Sequence, residues 1–236
     1  MRWPSFLAAL AGTVAVIAPQ GLPLDVPLPT ATHTIYAPAG NLVAPSDASE
    51  FGLLSRLARV GAIPFGFEAD AADPRPTTGA PVEAHDVAAH TLREALDGFV
   101  RIDPRYEWRD VAGVLVMRTR PAWTTSRGAL SLPVRAIDWR DIDEVEAFNR
   151  VALLLYPNAG HPPFEGVAVS RARQFTVQLG QGTMLDLLNA IARADGQLGW
   201  AVVYGESSST KRLTLTIGHY GNGPSYSWPT LPPGVS

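Results

Sequence analysis

The sequence predicts an α+β fold made of two tandem small α/β modules, each with about two helices packed on a small mixed sheet. Three observations support this prediction. The chain has 236 residues, of which 46% are hydrophobic and 17% charged, so it holds enough apolar material for two small cores. Helical and extended apolar patterns alternate along it. The order helix, strand, strand, helix, strand, strand occurs twice.

Residues 1–18 are predicted to be a signal peptide or an N-terminal anchor. Arg2 precedes an uncharged, mostly apolar segment at residues 6–18. This segment has the length of a signal-peptide apolar region and is shorter than the roughly 20 residues of a membrane span. Pro19 disfavours cleavage after Ala18, so cleavage after Ala15, retention as a membrane tether and a buried N-terminal helix are the alternatives. We expect an exported, periplasmic or extracytoplasmic protein.

The composition excludes several classes of function. The chain has no cysteine, which excludes disulfides, thiolate nucleophiles and cysteine zinc sites. Its formal net charge is −3, and it shows no clustered basic stretch of the kind that nucleic-acid-binding proteins carry. Nucleic acid is therefore not an expected partner.

The first module is predicted at residues 47–120, after a proline-rich linker at residues 19–46 in which residues 33–36 could form a short strand. An apolar stripe predicts a helix that ends at Gly61, followed by strands at residues 63–69 and 82–89. Thr91 and Glu94 form a capping-box pattern before a second helix, which Asp103 and Pro104 end. A hairpin then turns at residues 110–113.

A shift of 92 residues places much of this pattern on a second module, predicted at residues 121–218. The shift superposes Thr91 on Thr183, Glu94 on Asp186, Asp103 on Asp195 and Trp108 on Trp200. Residues 132–137 are predicted to add a strand, and residues 141–155 a helix. From residue 219 to residue 236 no helical or strand period is seen, so a flexible tail is expected. The sequence leaves open how the modules pack and how many chains assemble.

The repeated unit resembles the short N-terminal domain of secretins and TonB-dependent receptors (the STN domain). The segments that carry this resemblance are EFGLLSRLARVGAIPFGFEA and TLREALDGFVRIDPRYEWRDVAGVLVMRT in the first module, and FTVQLGQGTMLDLLNAIARADGQLGWAVVYG in the second. The resemblance covers about 60–70 residues of the first module and rests on apolar spacing and turns. Neither a receptor barrel nor a ring-forming secretin region is expected in residues 219–236, after the second module.

The resemblance implies a non-enzymatic docking or adaptor module of the cell envelope, without catalytic, cofactor-binding or metal-binding residues. The implied partner is an envelope protein such as a TonB-dependent receptor, a secretin or a regulatory membrane protein. The alternative is an exported hydrolase that uses His161 and nearby carboxylates. His161 lies in a Gly/Pro-rich segment close to Glu165, where histidine could act as an acid or base.

Other residues with reactive side chains have simpler structural interpretations. His85 and His90, near Glu83 and Asp86, are five residues apart, which fits neither one strand face nor one helix face. An acidic run could supply paired acid–base groups but is typical of a helix N-terminus; it consists of Asp138, Asp141, Asp143, Glu144 and Glu146. Gly180 and Gly182 indicate a tight turn. Trp108 and Trp200 are predicted core residues, while Trp123, Trp139 and Trp228 are candidates for a binding surface.

Overall fold

The structure, a computed structural model, describes residues 21–28, 32–37, 50–69, 83–126, 128–158, 173–207, 210–219 and 225–235. The predicted α+β class is confirmed, since these residues contain five α-helices and a mixed sheet. The first part of the chain forms β1 (Thr32–Ala37), α1 (Glu50–Gly61), β2 (Phe65–Ala69), β3 (Glu83–Ala88), α2 (Leu92–Ile102), β4 (Tyr106–Asp110) and β5 (Leu115–Thr119). The second part forms α3 (Arg120–Thr124), β6 (Pro133–Val134), β7 (Ile137–Ile142), α4 (Glu144–Leu155), β8 (Phe175–Leu179), β9 (Gly182–Thr183), α5 (Met184–Asp195), β10 (Leu198–Ser207), β11 (Thr210–His219) and β12 (Ser225–Trp228).

The two segments predicted as modules share one six-stranded sheet. Its strand order is β12-β11-β10-β2-β5-β4, so three strands come from each segment. The central strands β10, β2 and β5 run parallel to one another, and the outer pairs are antiparallel. Two-stranded sheets of β1 with β3, of β6 with β9 and of β7 with β8 complete the strand pairing in the described residues. The pairing of β10 with β2 therefore joins the two segments in one sheet.

Each face of the sheet carries its own hydrophobic core, because successive side chains of a strand point to opposite faces. Leu115 and Met117 of β5 pack in the core that contains the buried residues of α1 and α2. Val116 of the same strand packs in the core that contains α4 and α5. Trp200 and Ala201 of β10 divide between the two cores in the same way. The helices of the two segments thus cover opposite faces of one sheet.

The second helix of each segment begins at the predicted threonine cap. The Thr91 hydroxyl accepts a hydrogen bond from the N–H of Glu94 at 3.2 Å, and Thr183 accepts one from the N–H of Asp186 at 3.3 Å. The Asp186 carboxylate in turn accepts the N–H of Thr183 at 2.8 Å, which completes a capping box. These bonds satisfy N–H groups that lack a partner within the helix, so each helix start is fixed locally.

Part of the predicted linker packs on the first segment. Leu24 is buried in the core of α1 and α2, and its carbonyl accepts the N–H of Arg93 at 2.9 Å. The carbonyl of Val26 accepts the N–H of Leu92 at 3.3 Å. Residues 21–28 therefore supply acceptors to the first turn of α2, while β1, where a short strand was considered, pairs with β3.

The structure differs from the predicted boundaries at several places. The single strand predicted at residues 132–137 is replaced by β6 and by β7, which begins only at Ile137. Helix α4 begins at Glu144, because Asp141 has a positive φ of 52° and ends the regular part of β7 together with Ile142. In the segment expected to be a flexible tail, residues 225–228 form β12, which pairs with β11. Trp228 of β12 is buried and stacks on Tyr156 at 4.5 Å between ring centroids, so apolar burial holds the strand in place.

Among the described residues, no helix is both long and apolar enough to cross a bilayer.

Candidate functional site

Strand β4 forms one end of the six-stranded sheet and has a neighbouring strand on one side only among the described strands. Val111 and Val114 exchange both backbone hydrogen bonds, and Arg105 accepts the N–H of Arg120 at 2.8 Å. In an antiparallel ladder, every second residue directs its N–H and C=O toward the partner strand, and the residues between them direct these groups away from it. The N–H and C=O of Trp108 therefore point away from β5, toward the open edge of the sheet.

The hairpin turn after β4 fixes the register of β4 with β5. Ala112 and Gly113 both have positive φ, 53° and 85°, as a two-residue type I′ hairpin turn requires. The Asp110 carboxylate accepts the N–H of Gly113 at 2.7 Å and the N–H of Leu22 at 3.1 Å. The predicted hairpin is confirmed, and the described part of the N-terminal segment reaches the end of β4.

Trp108 is held against α2 by the same contact that holds Trp200 against α5. The indole N–H of Trp108 donates to Oδ1 of Asp97 at 3.0 Å, and the indole N–H of Trp200 donates to Oδ1 of Asn189 at 3.0 Å. Both members of the second pair lie 92 residues after those of the first. The matched bonds place the two indoles in the same position relative to their own strand and helix.

The two tryptophans differ in what covers them. Trp200 is 1% exposed and lies across the neighbouring strand β2 at Gly66. A Cβ atom at Gly66 would lie 2.1 Å from Cζ2 of Trp200, so only glycine fits there. Trp108 is partly exposed, and the guanidinium of Arg93 lies 5.9 Å from its ring centroid. Both tryptophans were predicted to be core residues, and Trp108 departs from that prediction because no described strand lies on the side of β4 that faces away from β5.

Arginine and tryptophan side chains also meet on the face of β4 and β5 that is opposite Trp108. The guanidinium of Arg109 lies 4.4 Å from the ring centroid of Trp123, and that of Arg118 lies 5.1 Å from it. The indole N–H of Trp123 donates to the carbonyl of Glu107 at 3.2 Å. Tryptophan and arginine are enriched where protein interfaces bind most strongly. Trp123, an expected contributor to a binding surface, is partly buried and contacts residues of both β4 and β5.

A buried ion pair lies on the opposite side of β2 from Phe67. Nε of Arg118 donates to the Glu68 carboxylate at 2.5 Å, and both side chains are nearly inaccessible to solvent. The Tyr204 hydroxyl donates to Glu68 at 3.1 Å and accepts the N–H of Ala129 at 2.8 Å. Burial raises the pKa of Tyr204, and the Glu68 carboxylate raises it further. This network connects β2, β5 and β10 across the junction of the two segments.

A second polar cluster joins the ends of three elements in the second segment. Nδ1 of His219 lies 2.6 Å from Oε2 of Glu144, and Nε2 lies 3.3 Å from Oδ1 of Asp195. Both carboxylates are buried, while the histidine is about one third exposed. The cluster joins the start of α4, the end of α5 and the end of β11. Its members are far apart in the chain, so no local sequence pattern indicates it.

The predicted reactive residues do not form one site in the described part of the chain. His161 and Glu165 lie outside the described residues, so the hydrolase alternative stays a prediction. His90 is exposed, and its backbone N–H donates to Glu94 at 2.6 Å. The side chains of Glu83, His85 and Asp86 are outside the described set. Among the described residues, no group of three or more histidine and carboxylate side chains has a metal-binding arrangement.

The acidic residues between Asp138 and Glu146 make separate contacts and do not form one cluster of carboxylates. Asp143 caps α4 by accepting the N–H of Glu146 at 2.8 Å, as the helix N-terminus interpretation predicts. Asp138 pairs with Arg140, which holds the pKa of that carboxyl below its usual value. Gly180 follows β8, the chain bends at Gln181, and Gly182 begins β9, which pairs with β6, so a bend and a short strand stand where the tight turn was predicted.

The remaining tryptophans take two positions. Trp139 lies on β7 with the guanidinium of Arg150 5.3 Å from its ring, at the partly exposed surface. Trp228 is buried among aromatic rings and is a core residue, so the expectation that it contributes to a binding surface is wrong.

Searches of the chain against protein-family models, curated proteins and solved structures give no match.

Proposed function

We propose that this chain is a non-enzymatic, exported protein that acts as a periplasmic docking or adaptor module of the cell envelope. The open edge of β4, with Trp108 beside it, carries the proposal. An exposed sheet edge presents unpaired backbone groups that a strand of another protein can extend. Trp108 adds a large apolar side chain at the point where such a strand would lie.

The sequence supports the compartment and the class of partner. Residues 1–18 have the pattern of an export signal or a membrane tether, and the repeated unit resembles STN domains. The order of α1, β2, β3, α2, β4 and β5 agrees with the helix and strand order on which that resemblance rests. The proposed partner is therefore an envelope protein such as a TonB-dependent receptor, a secretin or a regulatory membrane protein.

The proposal is tested by crosslinking and pulldown of the tagged full-length protein from envelope fractions of its native host. The edge variant is Trp108→Pro, because the N–H of Trp108 faces away from β5 and its loss breaks no bond of the β4–β5 ladder. Trp139→Ala is the matched control, since it removes a partly exposed tryptophan elsewhere.

We expect the wild-type and Trp139→Ala proteins to recover the same envelope protein and the Trp108→Pro protein to lose it. Recovery of the same partner by all three proteins contradicts docking at β4. Failure to recover a specific envelope protein under several growth conditions, or location of the chain in the cytoplasmic fraction, contradicts the proposed function itself.

A further inference from the structure

Strand β10 shows which kind of strand fits beside β4. Each of these strands follows the second helix of its segment, carries the matched tryptophan and pairs antiparallel with the next strand of the chain. On its other side β10 has β2, which runs parallel to it with Gly66 opposite Trp200. The corresponding side of β4 has no strand among the described residues.

Gly66 is required at the β10–β2 junction because the Trp200 ring occupies the space where a side chain would lie. The indole of Trp200 covers Gly66 so closely that a Cβ would lie 2.1 Å from the ring. Because the bond to Asp97 holds Trp108 as the bond to Asn189 holds Trp200, a strand beside β4 meets an indole at the same place. A side chain opposite Trp108 would displace that ring from α2.

The residues before and after the glycine of the added strand would point to the opposite face of the sheet. The side chains of β4 on that face therefore decide which residues fit there. In the β10–β2 pair, Phe65 and Phe67 lie opposite Gly199 and Ala201, and a Cβ at Gly199 would lie 2.2 Å from the Phe65 ring. Strand β4 has Glu107 and Arg109 at these two positions, where Nε of Arg109 donates to Oε1 of Glu107 at 2.7 Å and both side chains remain accessible to solvent. Opposite charges favour cross-strand pairs, so a base opposite Glu107 and an acid opposite Arg109 fit better than aromatic rings.

We infer that the open edge of β4 binds an extended segment of a partner protein that runs parallel to β4 and places a glycine opposite Trp108, between a basic and an acidic residue. This inference rests on the proposed docking function and names the strand that the edge selects. A second copy of the chain is not the expected occupant, because its own parallel strand β2 already has a neighbour on each side.

The first test measures binding of the fluorescently labelled peptide Thr-Val-Lys-Gly-Glu-Val-Thr to the full-length protein. A control peptide replaces the glycine by valine, a residue with higher strand propensity, so weaker binding cannot come from propensity. We expect the valine peptide to bind at least about tenfold more weakly, as the cost of overpacking predicts. The Trp108→Ala protein should bind both peptides equally, while Trp139→Ala should keep the difference.

The second test measures strand direction, and the absence of cysteine from the chain makes it specific. Arg109→Cys is oxidised with Thr-Val-Lys-Gly-Cys-Val-Thr or with Thr-Val-Cys-Gly-Glu-Val-Thr. Neighbouring strands lie about 4.8 Å apart, within the Cα separation of about 4.4–6.8 Å that a disulfide spans. Parallel binding with glycine opposite Trp108 crosslinks the first peptide, and antiparallel binding crosslinks the second.

Equal binding of the glycine and valine peptides, preferential crosslinking of the second peptide, or no binding at all overturns the inference. Self-association of the protein through β4, detected by sedimentation and abolished by Trp108→Pro, also overturns it. These results are separate from those of the pulldown. Selective parallel binding without an envelope partner would leave the edge preference standing and reject the docking function.

Discussion

The carboxylate of Glu68 and the guanidinium of Arg118 form a 2.5 Å ion pair in which the two side chains are only 5% and 6% exposed. The pair joins β2 to β5, and the hydroxyl of Tyr204 extends it to β10. Removal of one partner leaves a buried charge without compensation, which lowers the free energy of unfolding. Replacement of both partners by apolar side chains of similar size is tolerated.

We predict that Glu68→Gln lowers the free energy of unfolding by about 3–5 kcal/mol, since the charge of Arg118 is left without compensation. Urea denaturation monitored by circular dichroism measures the change. The exposed i,i+4 pair of Glu146 and Arg150 provides the control, and Glu146→Gln should cost less than about 0.5 kcal/mol. The double variant Glu68→Met with Arg118→Met should be more stable than Glu68→Gln. Equal losses from Glu68→Gln and Glu146→Gln would show that the buried pair has no special role.

Gly66 and Trp200 supply the second prediction. A methyl group at Gly66 would overlap the indole, which is enclosed by a packed core, so Gly66→Ala should lower the free energy of unfolding by about 1–3 kcal/mol. Gly180→Ala is the control, because nothing lies within 4 Å of a Cβ at that position. Thermal and urea unfolding of the two variants give the comparison. An unchanged stability of Gly66→Ala would mean that the β10–β2 junction adapts without cost.

His219 and its two carboxylates supply the third. His219→Ala removes the side chain that contacts both Glu144 and Asp195, whose oxygens are buried. We expect the free energy of unfolding to fall by about 1–3 kcal/mol, the cost of leaving the buried Glu144 oxygen without its donor, while Asp195 keeps the bond from the N–H of Gln197. His90→Ala, at an exposed position, should change stability by less than about 0.5 kcal/mol. The prediction fails when urea denaturation gives the two variants the same stability.

Local signals predict much of the secondary structure. The caps at Thr91 and Thr183 depend on residues three positions apart, so the sequence alone identifies both helix starts. The 92-residue shift between Trp108 and Trp200 also extends to contacts that sequence analysis did not use. Asp97 and Asn189 accept the two indole N–H groups, and each lies 11 residues before its tryptophan.

Contacts between distant parts of the chain were not predictable in the same way. The pairing of β2 with β10 joins residues more than 130 positions apart, and strand alternation indicates a buried face without naming the neighbouring strand. Gly66 and Gly199 were a usable signal, because glycine inside a strand marks close approach of another chain segment. For β12, the alternation of Tyr226 and Trp228 with serine was a weaker signal of the same kind.

The candidate edge could be predicted only in part. The matched positions of Trp108 and Trp200 suggested equal roles, and the sequence contains nothing that says which of them is covered. That difference arises because β2 lies beside β10 and not beside β4, a consequence of the strand order. The cluster of His219 with Glu144 and Asp195 likewise requires three element ends to meet, which no local pattern specifies.

Two tyrosines, the buried Tyr156 and the partly buried Tyr204, predict that the fold loses stability in alkali. Burial raises the pKa values of Tyr156 and Tyr204, whose hydroxyls bond to the Thr230 carbonyl and to Glu68. Both groups stay protonated in the folded state at a pH where the unfolded chain, with a tyrosine pKa of about 10, ionises them. Their stabilising contribution is therefore fully present below about pH 10 and is lost as the pH rises above that value.

The free energy of unfolding should fall by roughly 1.4 kcal/mol per pH unit for each tyrosine above about pH 10. Because Lys211 is the only lysine, lysine deprotonation adds little to this slope. Urea denaturation from about pH 9 to about pH 11.5 measures it, and Tyr156→Phe and Tyr204→Phe should each remove one tyrosine's share. Differences between the variants at pH 7 report only the lost hydrogen bonds and serve as the reference. An alkaline slope that is the same in the wild type and in the double variant would show that other groups, not these two tyrosines, control unfolding in alkali.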